Sequence, residues 1–123
     1  MRYALLVYSD QSGWESLPED ESARLRAESM PRWLALFDAL GEVDPAATGK
    51  ELAAASTAKV VRIRDGERIV TDGPFADTKE AVGGIFLTEL PDLDEAIRLA
   101  SLVPAAEYGS IEIRPLVDHG EAA

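Results

Sequence analysis

Cysteine is absent from this sequence, and histidine occurs once. A chain without cysteine forms no disulfide, has no thiolate nucleophile and holds neither an iron–sulfur cluster nor a structural zinc ion of the usual kind. The one histidine, His119, lies near the end of the chain, so no pair of histidines has the spacing of metal ligands. We therefore expect no cofactor.

Nucleotide-binding motifs are also absent. No G-x-G-x-x-G segment opens a helix, so a Rossmann dinucleotide site is unsupported. Thr48-Gly49-Lys50-Glu51 contains the Gly-Lys pair of a phosphate-binding loop, but it lacks the upstream glycine and the Ser or Thr that follows the lysine. We predict that it is part of an ordinary loop over residues 42–56, which are rich in alanine, glycine, proline and threonine.

Basic residues are scarce. Lysine and arginine total 12 against 23 aspartate and glutamate residues, which gives a net charge of -11. Phosphate backbones and anionic membranes repel such a chain, so we expect neither direct nucleic-acid binding nor membrane binding. The apolar stretch at residues 3–8 is too short for a signal peptide or a membrane span, which indicates a cytoplasmic protein.

The length of 123 residues suits one domain, and 46% of them are hydrophobic, enough for one buried core. We predict a single domain over residues 1–116 and a polar tail over residues 117–123.

Five strands are predicted from short apolar runs and from the alternation of apolar and polar residues. They cover residues 2–8, 59–64, 67–70, 83–90 and 110–115. Asp65-Gly66 separates the second strand from the third and is a favoured hairpin turn. Gly83-Gly84, within the fourth strand, indicates a bulge or a close backbone approach, either to a ligand or to the sheet of a partner subunit.

Two helical regions are predicted. The first begins in the acidic segment after Pro18 and ends near Gly41. Pro31 interrupts its pattern, and either kinks one helix or starts a second. The other helix lies between Pro91 and Pro104.

The order of elements is β-α-ββ-α-β with the hairpin as an addition, which predicts an α+β fold of the ferredoxin-like, split βαβ type. In such a fold the helices cover one face of the sheet. The chain has no further element to cover the other face, so we predict a homodimer in which a second copy covers it.

Several blocks spaced along the chain resemble the DGPF group of the YCII-related proteins. The blocks are Asp72-Gly73-Pro74-Phe75, Thr78-Lys79-Glu80, Gly83-Gly84 and Glu112-Ile113-Arg114-Pro115. The resemblance extends from the first strand to Pro115. It implies a ferredoxin-like domain that dimerises into an α/β barrel, in a group of bacterial proteins mostly without an assigned reaction.

The resemblance also bears on partners and chemistry. Members of the DGPF group are often encoded near sigma factors, which implies a protein partner such as a sigma factor. Related YCII proteins are thought to use a His-Asp pair in the cleft. This chain departs from that pattern, because its only histidine is His119 in the tail.

Asp72 is the candidate catalytic residue. On one interpretation, Asp72-Gly73-Pro74 is a rigid turn that places Phe75 in the core. On the other, the turn directs the Asp72 carboxylate into a cleft, where partial burial suits it to act as a general acid or base.

Four further residues are candidates for ligand binding. Lys79 and Glu80 either orient a bound polar group or form a surface ion pair. Tyr8 is the aromatic residue expected to direct a hydroxyl into a pocket. Arg114 either anchors an anionic ligand or takes part in ion pairing in which it and Glu112 meet Arg62 or Lys79 across the sheet.

Two functions remain open. The first is a dimeric binding or regulatory module, with a cleft for a small molecule and an acidic surface for a protein partner. The second is an enzyme without a cofactor, in which Asp72 acts on a small polar or anionic molecule.

Overall fold

The computed structural model describes residues 1–75 and 79–120. Its helices are α1 (Gln11–Glu15), α2 (Glu19–Val43) and α3 (Leu93–Ala100), and its strands are β1 (Arg2–Asp10), β2 (Thr48–Glu51), β3 (Lys59–Arg64), β4 (Glu67–Asp72), β5 (Glu80–Glu89) and β6 (Ser110–Pro115). Four strands form an antiparallel sheet in the order β2-β5-β1-β6, and β3 pairs with β4 in a separate hairpin. The α+β prediction is confirmed, and the order of the four strands is that of a split βαβ unit.

The core lies between one face of the sheet and the two longer helices. Tyr3, Leu5 and Val7 alternate along β1 and are buried together with Leu36 of α2 and Leu99 of α3. The intervening β1 residues lie on the opposite face because successive strand side chains point to opposite sides. We call this opposite side, with Leu6, Tyr8, Ile85, Leu87 and Glu112, the open face.

The prediction of a loop over residues 42–56 is wrong at residues 48–51. They form β2, which pairs with β5 from Thr48 opposite Leu87 to Glu51 opposite Gly84. All four residues are exposed. One is a glycine and the other three have polar or charged side chains, so no alternation of apolar and polar residues marks the strand. Backbone pairing to β5 creates it, with Gly49 lying against the ring of Phe86.

Helix α2 continues through Pro31 and ends beyond Gly41, at Val43. Of the two alternatives raised by Pro31, the single helix is therefore confirmed, and no second helix begins there. The Asp44 amide donates to Leu40 at the helix end, and the Asp44 carboxylate accepts hydrogen bonds from the Glu89 amide at 2.8 Å and the Thr88 hydroxyl at 3.0 Å. This carboxylate fastens the end of α2 to β5.

The hairpin prediction is confirmed. Asp65 and Gly66 have φ angles of 51° and 78°, the left-handed conformations that a two-residue type I′ turn requires. No helix among residues 1–75 and 79–120 has the length and apolar character needed to cross a bilayer.

Candidate functional site

A cleft of about 500 Å3 opens at one end of the open face. Tyr8 of β1 and Glu80 and Val82 of β5 contribute to it, because the pairing of the two strands places these side chains on one face. The rest of the lining comes mainly from the segment after β2 and the segment after β4: Leu52, Ala53, Ala54, Ala55, Thr57, Ala58, Pro74 and Phe75. Apolar walls with a few polar groups are typical of small-molecule sites.

The polar groups of the cleft are linked to β6. The Tyr8 hydroxyl donates to Oε1 of Glu112 at 3.1 Å, and the Ser110 hydroxyl donates to Oε2 of Glu80 at 3.3 Å. Nη1 of Arg114 lies 3.9 Å from Oε2 of Glu112. Since the Tyr8 hydroxyl donates its hydrogen bond to Glu112, the oxygen of this cleft-lining side chain remains available only as an acceptor.

The environment of Tyr8 disfavours its ionisation. The hydrogen bond to Glu112 is the largest cause raising the pKa of Tyr8, followed by burial and by the negative charge of Glu112, while Arg114 acts in the opposite direction. A phenolate would lose the hydrogen bond and face a carboxylate. Tyr8 is therefore held as a neutral phenol.

A bulge in β5 positions Tyr8. Val7 lies opposite Gly84 but Tyr8 lies opposite Val82, so Gly83 is the extra residue, as the Gly83-Gly84 pattern predicted. A Cβ on Gly83 would lie 3.0 Å from Nε2 of Gln11, whose Oε1 accepts from the Ala55 amide at 2.8 Å. The bulge, the first turn of α1 and the cleft wall are thus in contact.

The segment after β4 forms part of the wall. The Gly73 amide donates to the Ala58 carbonyl at 2.8 Å, and the Gly73–Pro74 peptide is cis. Phe75 is 77% exposed, with the Arg62 guanidinium 5.4 Å from the centre of its ring. The interpretation that placed Phe75 in the core is wrong, because Phe75 lies at the cleft edge.

Of the predicted ligand residues, Tyr8 and Glu80 line the cleft. Lys79 precedes Glu80 and is exposed; its charge contributes to lowering the pKa of Asp10, after the larger effect of hydrogen bonds from Ser12. Thr78, of the same block, lies outside the described residues.

Asp72 and Arg114 lie outside the cleft lining. The Asp72 side chain is 85% exposed and pairs with Nζ of Lys59 across the hairpin. Arg114 meets Glu112 on the open face, rather than the predicted network through Arg62 or Lys79. His119 is exposed in the tail beyond β6. The functional roles given to Asp72 and Arg114 remain predictions.

Sequence reasoning missed the link between Tyr8 and Glu112. The spacing of Glu112 and Arg114 indicated a shared face of β6, but the pairing of β6 with β1, which sets Leu6 opposite Glu112, has no local sequence signal. Within residues 1–75 and 79–120, no group of three or more acidic or histidine side chains is arranged to hold a metal ion.

Comparison with known proteins identifies the family. The family model of the YCII-related domain matches residues 1–119 of this chain. The chain belongs to the YCII-related domain family. This YCII-related chain is 36% identical over 118 residues to an uncharacterized protein of Rhizobium meliloti (strain 1021), across 94% of this chain and 92% of that protein.

Among solved structures, one similar chain is 5-chloro-2-hydroxyhydroquinone dehydrochlorinase (TftG) from Burkholderia phenoliruptrix AC1100, in complex with 2,5-dihydroxybenzoquinone. The TM-score is 0.47 and the identity 13%, over 95% of this chain and 94% of that chain. Likeness at this level carries no argument about the function of the YCII-related chain.

Proposed function

We propose that this YCII-related chain is a small-molecule-binding module that works as a homodimer. The observation that carries the proposal is the cleft of about 500 Å3, whose apolar walls include the polar side chains of Tyr8, Thr57 and Glu80. Sites for small molecules commonly have volumes of about 300–1,000 Å3 and this distribution of groups.

The polar groups specify the chemistry of the ligand. The Tyr8 oxygen can accept because its hydroxyl hydrogen is donated in the hydrogen bond to Glu112. The Glu80 carboxylate already accepts from the Ser110 hydroxyl, and a carboxylate has sites for several hydrogen bonds. Both groups accept rather than donate. The fitting ligand is therefore a small, largely apolar or aromatic molecule with a donor group such as an amine or hydroxyl, and a ligand carboxylate is disfavoured by Glu80 and Glu112.

Two probes of matched shape test this. We expect 2-phenylethylamine to bind and 3-phenylpropionate not to bind, with the amine shifting backbone NMR signals of Tyr8, Ala54 and Val82. Replacing Glu80 by Gln removes a charged acceptor, and a hydrogen bond to a charged group contributes about 1.5–3 kcal/mol. The affinity for the amine, measured by titration calorimetry, should fall by about tenfold or more.

The matched control is Glu89→Gln, which removes the same charge from the far end of β5. It should leave the affinity unchanged. If the amine and the carboxylate bind equally, or if neither shifts the cleft signals, the proposed function is wrong.

The homodimer, and the α/β barrel implied by the resemblance, are part of the proposal. Their support is the open face, where Leu6 and Ile85 are only partly buried and Leu87 is 36% exposed. A second copy against this face would bury these side chains beside the cleft. Light scattering on the purified chain should then give twice the mass of the monomer.

A protein partner such as a sigma factor is a further proposal. Its support is the net charge of -11, which favours association with a basic protein surface. A pull-down with purified sigma factors should retain one of them at low salt and release it at high salt. Retention of none would remove this proposal without affecting the cleft.

The second candidate function is catalysis without a cofactor, with Asp72 as acid or base. Asp72 lies two residues before Pro74, which lines the cleft, but its exposure and its pairing with Lys59 give the binding module better support. Proton NMR of a metabolite extract incubated with the protein should show a signal consumed by the wild type and spared by Asp72→Asn. An extract unchanged by both proteins would contradict catalysis.

A further inference from the structure

The two faces of the β3–β4 hairpin differ in their surroundings. One face contains Val60 and Arg62, which are half-buried: Val60 lies against Gly73, and the Arg62 guanidinium lies over the ring of Phe75. This face is directed toward the base of the hairpin and the cleft wall. The hairpin is therefore attached to its own domain through this side.

The other face carries an exposed apolar cluster flanked by the Lys59–Asp72 ion pair and by Arg68. Val61 pairs directly with Val70, and Ile63 is next to them on the same side. Their exposed fractions are 60% for Val61, 54% for Val70 and 60% for Ile63. A two-stranded hairpin is marginally stable unless something packs on it, so three β-branched apolar side chains in one cluster indicate a surface that another molecule covers.

The charge of the hairpin identifies the occupant. Residues 59–72 contain four of the 12 basic residues and three of the 23 acidic ones, so the hairpin has a net charge of +1 and the remainder of the chain -12. The surface that attracts this hairpin is an acidic one, and the rest of a second copy supplies it. If each of two copies packs its hairpin on the other, the apolar clusters of both hairpins are buried in the same dimer.

We propose that the hairpin is a dimerisation arm: the cluster of Val61, Ile63 and Val70 packs on a second copy of this chain, and the basic residues of the arm meet the acidic surface of that copy. This inference rests on the homodimer of the proposed function and names the element that forms it. Because the arm begins and ends at the cleft wall, next to Ala58 and Gly73, dimerisation would also fix the wall in place.

Three threonine substitutions test the arm. Val61→Thr, Ile63→Thr and Val70→Thr keep the strand preference of the hairpin and leave the core untouched. We expect this variant to dissociate at protein concentrations at least a hundredfold higher than the wild type, as measured by light scattering over a dilution series. The control is Leu34→Gln, Leu93→Gln and Ile97→Gln, which removes three exposed apolar side chains from the helices and should dimerise as the wild type does.

The outcomes separate the two proposals. A hairpin variant that dimerises as tightly as the wild type overturns the arm and leaves the homodimer standing. A wild type that is monomeric at all concentrations overturns both. Ligand binding by the cleft is read independently, with 2-phenylethylamine.

A second measurement does not depend on the triple variant. Since the chain has no cysteine, Val61→Cys provides a single thiol that can carry a benzophenone label. Mixing this labelled chain with 15N-enriched chain that carries no label allows the subunits to exchange and form mixed dimers. Irradiation should join the label to 15N-containing peptides, whereas a label at Ile97→Cys should do so rarely. Crosslinks from position 61 that lie only within its own chain would overturn the arm.

Discussion

The hydrogen bond between Tyr8 and Glu112 controls the proton at the cleft. The Glu112 carboxylate favours the protonated phenol both by accepting a hydrogen bond from it and by repelling the phenolate. We expect Glu112→Gln to lower the pKa of Tyr8, because the amide carries no charge. A pH titration of the tyrosine ring carbon by NMR measures this, with Tyr8→Phe to assign the signal; an unchanged pKa would contradict the role of Glu112.

Gly109 is required by a close approach between β6 and β1. A Cβ at this position would lie 2.0 Å from the carbonyl oxygen of Tyr8, so Gly109→Ala must displace backbone. We expect a loss of about 1–3 kcal/mol in the free energy of unfolding, the usual cost of overpacking, as measured by urea denaturation.

Gly41 is the matched control for Gly109. It lies inside α2, and a Cβ there would meet no atom within 4 Å apart from its chain neighbours and the backbone of its own helix. Gly41→Ala should stabilise the protein by about 0.5–1 kcal/mol, since alanine restricts the unfolded chain and suits a helix. Equal effects of the two substitutions would mean that the contact at Gly109 is unimportant.

At the scale of elements, Asp44 joins α2 to β5. Its pKa is lowered chiefly by the hydrogen bond from the Glu89 amide. Burial, the second-largest effect, acts in the opposite direction, and Thr88, Ala46 and the charge of Arg2 lower the pKa further. A folded-state pKa below the unfolded value contributes stability that is present above the ordinary value of 3.8 and is lost as the pH falls through the lower, folded value.

Asp44→Asn removes this pH dependence. The free energy of unfolding, measured by urea titration from about pH 5 to about pH 2, should decline less steeply in the variant than in the wild type. At neutral pH the variant should be less stable, because an amide accepts these hydrogen bonds less strongly than a carboxylate. Parallel pH profiles would show that Asp44 is not the titrating group.

The elements also show which parts of the fold were readable from sequence. Asp65-Gly66 predicted its turn because the local backbone conformation favours those residues. Strand β2 was missed because Lys50 and its neighbours are exposed and pair only through their backbone with β5. The structure places Tyr8 in the cleft lining, and its partner Glu112 depends on strand register, which is a property of the assembled sheet.

For the whole molecule, the excess of 23 acidic over 12 basic residues is the dominant electrostatic feature. Like charges repel one another in the compact state, and salt screens them. Raising sodium chloride from about 10 mM to about 150 mM, which shortens the Debye length from about 30 Å to about 8 Å, should therefore raise the melting temperature at fixed protein concentration. A decrease would show that attractive ion pairs outweigh the repulsion.

The central position of β1 has a consequence for synthesis. Within the described part of the chain, β1 pairs with β5 and β6, and β5 begins at Glu80, about 70 residues after β1 ends at Asp10. At about 5–20 residues per second, a ribosome needs several seconds to make that interval. The apolar strand β1, with Tyr3, Leu5 and Val7, therefore leaves the ribosome long before β5 and β6. It remains unpaired with them until most of the chain has been synthesised.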